Sequence, residues 1–591
     1  MNKQEKIAVA LLFAAMLGYM VFILPRFAPA PQPKPSPPLN QPTTQTTPTL
    51  APTTQTPGTQ PAPSTKPLAP ETPAKPEETV HLKNKFIDVE LTTHGAAVKR
   101  IHLLKYEIQP NGTGSKKQPV ILNQYGGIPA LALENVENGG SNVSYEIRQS
   151  ESSVVFERIT PSGLKIRKTY SLAQGDDFEA ASDYTIRCQV SFEAPKDRAI
   201  SIKAPGLTAG TAAQRSPEEG GIIWMLFTMD NRGIYLRVDS FDGTEPKYHF
   251  LTEIESTPVT TIEPLPLRWL AIKNQYFAMI LTPDRPGAGS TRHQLNLNEN
   301  ELPKGMLAKA VTGSLYLSDI NIEAGKTDTR DFVYYAGPKE YKRLLALSNH
   351  KEFGHHQDEV MQFGQLFAWQ LSWLSAICKS MLLGVLWFHS LVGNFGVAII
   401  LVTLLIRAIF WPLTGYGARQ MKKMQALQPE IKAIRDKYAE DQMKLYQETQ
   451  KLMKKNHVNQ FGGCLPALVQ IPFFAAFYSI LISATELWGA KFLWVGDLAA
   501  PDGIFYVAGF RFDLLLILMA ATQVWQAKQT PSTDPMQAKM AMFMPLVMVL
   551  MMYAWKFSAA LVLYWTVGNL ITIAQNYMTK LPTASPRKTP T

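Results

Sequence analysis

The sequence predicts a multi-pass α-helical membrane protein of six transmembrane helices. It also predicts a large all-β domain and a cytoplasmic helical hairpin. Three observations lead there. Long apolar runs sit near both ends of the 591-residue chain. The stretch between them reads as short alternating strands separated by turn residues. One loop among the later apolar runs is crowded with lysine and arginine. The length exceeds one compact domain. A balance of 58 Lys+Arg against 48 Asp+Glu gives +10, a mild excess that suits anionic lipid or ribosomal RNA without selecting either. Of Cys188, Cys378 and Cys464 only the first lies in the β region, so no disulfide framework is expected there. No spacing points to a metal or a cofactor.

Residues 1–27 read as an N-terminal transmembrane anchor. Residues 7–24 are uncharged and follow Lys3 and Lys6, which favours a cytoplasmic N-terminus. Ala28-Pro-Ala-Pro31 resembles a signal-cleavage site, but Pro31 disfavours cutting, so a retained anchor is expected. Residues 28–79 are rich in Pro, Thr and Gln. They cannot bury a core and read as an extended tether.

Residues 80–345 form the β domain. Segments 86–91, 153–158, 166–171 and 184–190 are β-branched and partly alternating, with turn clusters at 109–113 and 137–141. Strand after strand with few helical stretches implies a sandwich. His94, His102, His249 and His293 show no catalytic or metal spacing and read as surface and turn chemistry. Residues 340–347 look helical. Residues 346–383 read as connecting and interfacial amphipathic helices. Phe363, Leu366, Phe367, Gln370, Trp373, Leu374 and Ile377 recur at helical spacing there. A helix packed on the β domain fits the same pattern.

Residues 384–580 read as a five-helix core, with spans near 391–413, 464–483, 512–525, 540–555 and 559–577. The hairpin, 415–460, is basic. The outer loop between the third and fourth spans holds only Lys491 and Arg511, so the hairpin and the tail 581–591 are placed in the cytoplasm. Met421, Met424, Leu427, Ile431, Ile434 and Tyr438 give the hairpin a coiled-coil-like seam, interrupted by Pro429.

Arg407 carries the chemistry. A fixed charge inside the apolar run 397–413 costs roughly 2.5–3.5 kcal/mol on insertion scales, so it belongs in a bundle interior or a wet cavity. Thr403 and Trp411, four residues either side, share its helical stripe. Trp565, Asn569, Thr572 and Asn576 form a second polar stripe, and Gln470 precedes Pro472 on another span. Facing one another, these would line a hydrated pocket. The residues alone also permit Arg407 to snorkel to headgroups, with the stripes as interhelical glue. Met536, Met540, Met544, Met548 and Met552 form a ladder in steps of four. It suits varied apolar partners, or simply lipid.

Several motifs resemble the YidC-type membrane protein insertases of the Oxa superfamily. They are Asn394-Phe-Gly-Val-Ala-Ile-Ile400, Thr403 with Arg407 and Trp411-Pro-Leu-Thr414, Met424-Gln-Ala-Leu-Gln-Pro-Glu430, Gly462-Gly-Cys-Leu-Pro466 with Gln470-Ile-Pro472, and Leu561-Val-Leu-Tyr-Trp565. The anchor, tether and β domain resemble the Gram-negative form. That resemblance implies a periplasmic β-super-sandwich of the galactose-mutarotase-like kind, an inner-membrane location and an insertase rather than an enzyme. It implies no cofactor and no DNA partner. The implied partners are nascent membrane proteins, the Sec translocon, membrane lipids, and the ribosome through residues 419–455 and the tail. The groove expected for a client's polar segment comprises Arg407, Thr403, Trp411, Gln470, Tyr564, Trp565 and Asn569. The apolar slide comprises Phe473, Phe477, Met540, Met544, Met548 and Met552. Where the family commonly has a tyrosine pair, Tyr564-Trp565 keeps an aromatic and loses one hydroxyl. A small-anion transporter would also want a buried arginine, but no internal repeat is seen. An anchored sugar-active enzyme would leave five spans unexplained.

Overall fold

The computed structural model describes residues 76–108, 117–175, 178–215, 235–254, 262–366, 369–439, 441–458, 465–507, 510–529, 535–554 and 556–578. The expected anchor, most of the tether, the 109–113 turn and the tail lie outside them.

Alternating sequence becomes antiparallel sheet throughout the β domain. One sheet has nine strands. Its centre is Trp269–Lys273, Phe277–Pro283, Thr327–Pro338 and Thr185–Glu193, and its edges are Pro246–Phe250 and Glu146–Gln149. A second sheet has five strands, with Gly206–Ala213 and Lys309–Tyr316 inside it. A third has four, running from Thr79–Lys83 to Gln118–Leu122. Trp269–Lys273 contacts both Gly206–Ala213 and Lys309–Tyr316, so the two large sheets stack. Strands covered on both faces lose alternation, and every residue of Trp269–Lys273, Phe277–Pro283 and Gly206–Ala213 is buried. Strands with one open face keep it, as in Thr185–Glu193. The four segments read as strands from sequence are strands here: 153–158 and 166–171 gain a residue at one or both ends, 86–91 shifts by one to Ile87–Thr92, and 184–190 becomes Thr185–Glu193.

Ten helices follow among the described residues: α1 (Tyr341–Ser348), α2 (Ser372–Val392), α3 (Phe395–Ile409), α4 (Trp411–Ala426), α5 (Gln428–Lys437), α6 (Gln442–Lys455), α7 (Leu465–Ser483), α8 (Leu514–Lys528), α9 (Pro535–Ala554) and α10 (Ala559–Met578). The amphipathic helix expected from residue 361 begins later. Gln362 and Gly364 take positive φ, and a short hairpin of Gln365–Leu366 with Trp369–Gln370 intervenes, so α2 starts at Ser372. Left-handed backbone at two nearby positions breaks an α-helix, whatever the side-chain spacing says. By length and composition α2 alone is long and apolar enough to cross a membrane among the described residues. The α3–α4 pair also qualifies if taken as one span bent by 65°. The six expected spans are therefore not reproduced helix by helix.

Local signals set the joints. Gly393, in the left-handed conformation, ends α2 by donating to the His389 carbonyl at 2.8 Å. Asn394 then caps α3, accepting from the Val397 amide at 3.1 Å. Pro412 stands in the first turn of α4, where its missing N–H costs nothing, and the chain bends at Phe410. Pro429 acts likewise at the start of α5.

The β domain is fastened to the helices. Thr485, just past α7, donates to the Tyr276 carbonyl at 2.6 Å. Trp488 packs edge-on against Tyr276 and Phe277. Lys379 of α2 bridges Asp358 at 2.9 Å and Glu359 at 3.0 Å. The Tyr341 amide donates to Glu486 at 2.7 Å, and burial pushes that carboxyl up to about 8.

Candidate functional site

The polar residues of the helical region gather toward the end that bears α4, α5 and α6, away from the β domain. There α10 packs against α3 and α8, and α7 packs against α2 and α4. Arg407, in the last turn of α3, is half-buried. Its Nη2 donates to Gln470 Oε1 of α7 at 2.7 Å. On the α10 side it meets Gly568, where a Cβ would stand 2.8 Å from Nη2. Glycine is what lets the guanidinium lie against that helix backbone. No ion pair among the described residues neutralises Arg407. A cation held by a neutral amide keeps its charge and most of its donors for something else.

Five further hydrogen bonds complete the polar zone. Asn569 donates to Thr522 of α8 at 3.2 Å. Gln575 donates to Thr414 Oγ1 of α4 at 2.9 Å and to the Trp411 carbonyl at 3.2 Å. Asn576 reaches Gln529 at 3.2 Å, and Lys422 of α4 reaches the Asn576 carbonyl at 3.0 Å.

The expected groove residues are therefore only partly brought together. Arg407 and Gln470 touch. Thr403 is buried and spends its hydroxyl on the Ile399 carbonyl of its own helix at 2.7 Å. Trp411 leaves the Arg407 stripe because the chain bends before it. Its ring is exposed while its carbonyl serves Gln575. Asn569 turns to α8, and Thr572 bonds its own Gly568 carbonyl at 2.9 Å, so the stripe on α10 does not face Arg407 as a unit. Tyr564 is buried and stacked on Phe477 at 4.9 Å. Trp565 is half-buried, edge-on to Phe474 at 4.9 Å.

The slide residues also divide. Phe477 is buried, and Phe473 is half-buried against Phe410. Met544 is exposed, Met548 half-buried and Met552 buried. The side chain of Met540 lies outside the described residues. Steps of four rotate about 40° around a helix, so a ladder cannot hold one face over its length. The open face of α9 is instead Phe543, Leu546, Val547 and Leu550. Sequence reasoning missed Gly568 and Gln575, and quoted Thr414 in the Trp411–Thr414 run without giving it a place in the site. Gln575 sits one place before Asn576 of the quoted stripe, which was the signal available for it.

Comparison with known proteins decides the family. Residues 79–376 match the YidC periplasmic domain, and residues 387–585 match the 60Kd inner membrane protein family. Membrane protein insertase YidC of Bordetella petrii is 30% identical over 521 residues, covering 85% of this chain and 83% of that one. This chain belongs to the YidC family of membrane protein insertases. YidC of Syntrophus aciditrophicus is 28% identical over 601 residues and covers 98% of this chain and 99% of its own. An active YidC insertase crystal structure with its first transmembrane domain resolved aligns over 85% of this chain and 93% of its own, at 17% identity and a TM-score of 0.34. As a YidC protein the chain is an insertase, not an enzyme, and its β domain is the periplasmic domain of that family.

Proposed function

We propose that this chain inserts membrane proteins by receiving a client's short polar segment at Arg407 and releasing its apolar segment into lipid. In this reading the anchor in residues 1–27 and helices α3, α7, α8, α9 and α10 cross the bilayer. Both termini and the α4–α6 hairpin are cytoplasmic. The polar end of the bundle is a hydrated inner-leaflet groove, closed toward the periplasm. The barrier to moving a polar tail is desolvation of its peptide and charged groups. A wet groove half-way across lowers that barrier, and a fixed guanidinium attracts acidic side chains in the tail. The client's apolar span then partitions into lipid beside α7 and α9, at roughly 25 cal/mol per Å² of apolar area removed from water. That transfer drives the step without a nucleotide. The Sec translocon and the ribosome are proposed partners, the ribosome through the basic hairpin and the tail. Nascent membrane proteins are the clients.

The observation that carries this reading is Arg407 held by the neutral Gln470 amide at 2.7 Å rather than by a carboxylate. The test is insertion of a small client into vesicles holding only the purified protein, without ATP. Client insertion is expected there. Arg407→Ala is expected to slow clients with acidic tails, and Arg407→Lys to retain most activity. Equal rates for Arg407→Ala with every client would end the charge-attraction account.

A further inference from the structure

We infer that the loop between α7 and α8 carries a lipid-seeking aromatic wedge, which rests among the headgroups at the β-domain end of the bundle. Its main part is a two-stranded hairpin, Phe505–Val507 paired with Phe510–Phe512. Residues directly opposite in an antiparallel pair share a face. The register therefore puts Phe505, Phe510 and Phe512 on one side and Tyr506 with Arg511 on the other. On the second side Tyr506 is exposed and Arg511 anchors the hairpin to the bundle. Arg511 pairs with Asp513 at 2.7 Å, donates its amide to the Tyr553 hydroxyl at 2.7 Å, and reaches the Tyr553 carbonyl at 3.2 Å. The charge of the hairpin is thus consumed at its back. The front is uncharged: Phe505 and Phe512 stack at 4.5 Å, and Phe510 at the tip is 72% exposed.

A second apolar turn stands close to the first. Phe492 and Val495 close a tight turn by exchanging backbone hydrogen bonds at 2.9 and 2.8 Å. Its tip is Leu493, held at φ 50 and 75% exposed, followed by Trp494. The indole N–H donates to Asp502 at 3.3 Å, which ties this turn to the segment leading into the hairpin. A leucine strained into the left-handed region and turned outward is a poor choice for a surface facing water.

Lipid is the occupant because of what borders the patch. The hairpin runs directly into α8, where Ile517 and Leu518 are exposed, and α8 packs beside the open apolar face of α9. The patch therefore continues the helical surface that a bilayer covers. Lys491 and Lys556 are exposed in loops at the same end. Aromatic rings with lysines beside them match the headgroup zone, where rings reside at the boundary and ammonium groups meet phosphates. An isolated two-stranded ribbon with a bare phenylalanine face would otherwise invite aggregation. Seated in lipid, it fixes the depth of the adjoining ends of α8 and α9.

This placement rests on the bilayer assignment of the bundle and not on the groove at Arg407. The test uses the full chain in vesicles of phosphatidylethanolamine and phosphatidylglycerol. A nitroxide is attached to Phe510→Cys after the native cysteines are replaced, with Glu151→Cys in the β domain as the aqueous reference. The expected result is oxygen collision several-fold above that of a water-soluble nickel chelate, and the reverse ratio at the reference. A nickel ratio at Phe510→Cys equal to the reference overturns the wedge, as does exclusion of both reagents. Spin–spin broadening that vanishes on dilution with unlabelled protein also overturns it, by assigning the face to a second copy. Client insertion measured on the same samples reports the groove separately, so either account can fail without the other.

Discussion

The β domain and the helical region bury charge to different depths. In the β domain Lys168 is fully buried, and its ammonium donates to the carbonyls of Gly95 and Leu131. Lys273 is equally enclosed, paired with Asp239 and donating to the Val360 carbonyl at 2.8 Å. Burial pushes both ammoniums down to about 8. These charges are answered within the fold. Arg407 is only half-buried and has a neutral amide as its partner. The first arrangement makes a structure. The second leaves a half-buried charge with one neutral partner among the described residues.

The sharpest way to break this contrast is Asp239→Ala. It strands Lys273 beside Arg237 in a closed site, and losing one partner of a buried pair costs about 3–5 kcal/mol. A large fall in thermal midpoint is expected. A change no greater than that of the exposed control Glu151→Ala would show the pair to be dispensable.

Arg407→Ala is expected to do the converse. Stability should move by less than about 1 kcal/mol, while insertion of acidic-tailed clients falls roughly tenfold, equivalent to about 1.4 kcal/mol. Comparable losses in both measurements would make Arg407 structural, like the lysines.

Gly568→Ala sharpens the same point more gently. The new methyl would sit 2.8 Å from Arg407 Nη2, at the far end of a flexible side chain, so the fold should accommodate it. The guanidinium must shift from Gln470, and a few-fold loss of insertion is expected with little change in denaturation midpoint. Unchanged insertion would show that the contact with α10 is incidental.

A further test concerns pH. The folded lysines titrate near 8 and the unfolded ones near 10.5. Between those values the unfolded chain holds more protons, so their contribution to stability rises with pH. Below about 8 the penalty for burying two ammoniums is fully present. The urea midpoint of the β domain should therefore gain from these two groups between pH 8 and 10, and Lys168→Met should shrink that gain. An equal pH slope in the variant would remove Lys168 from the account.

Much was legible in sequence because it is local. Alternation over 153–158 and 166–171 marks strands, since successive side chains point to opposite faces. The Gly393-Asn394 boundary was missed, because the span read as 391–413 runs across it. Pro429 marks a break, which falls two residues before it at Leu427. The arginine in an apolar run singled out the candidate position from sequence alone. Other features were not legible because they depend on which faces meet. The stripe Trp565, Asn569, Thr572, Asn576 is real as spacing, yet its members answer to α7, to α8 and to their own helix. The methionine ladder drifts around α9. The start of α2 was misplaced because Gln362 and Gly364 turn left-handed against a spacing that still looks helical.

The sequence by itself determined the division into an all-β region and an apolar helical region, the capping residues, and the anomalous charge at Arg407. Those follow from hydrophobic periodicity and backbone propensity, which act within a few residues. Only the tertiary structure decided that Gln470 rather than Thr403 holds that charge, that Gly568 opens the space beside it, and that an aromatic hairpin stands uncovered at the opposite end. Those depend on packing between segments far apart in the chain, where side-chain volume and hydrogen-bond satisfaction outweigh any local pattern.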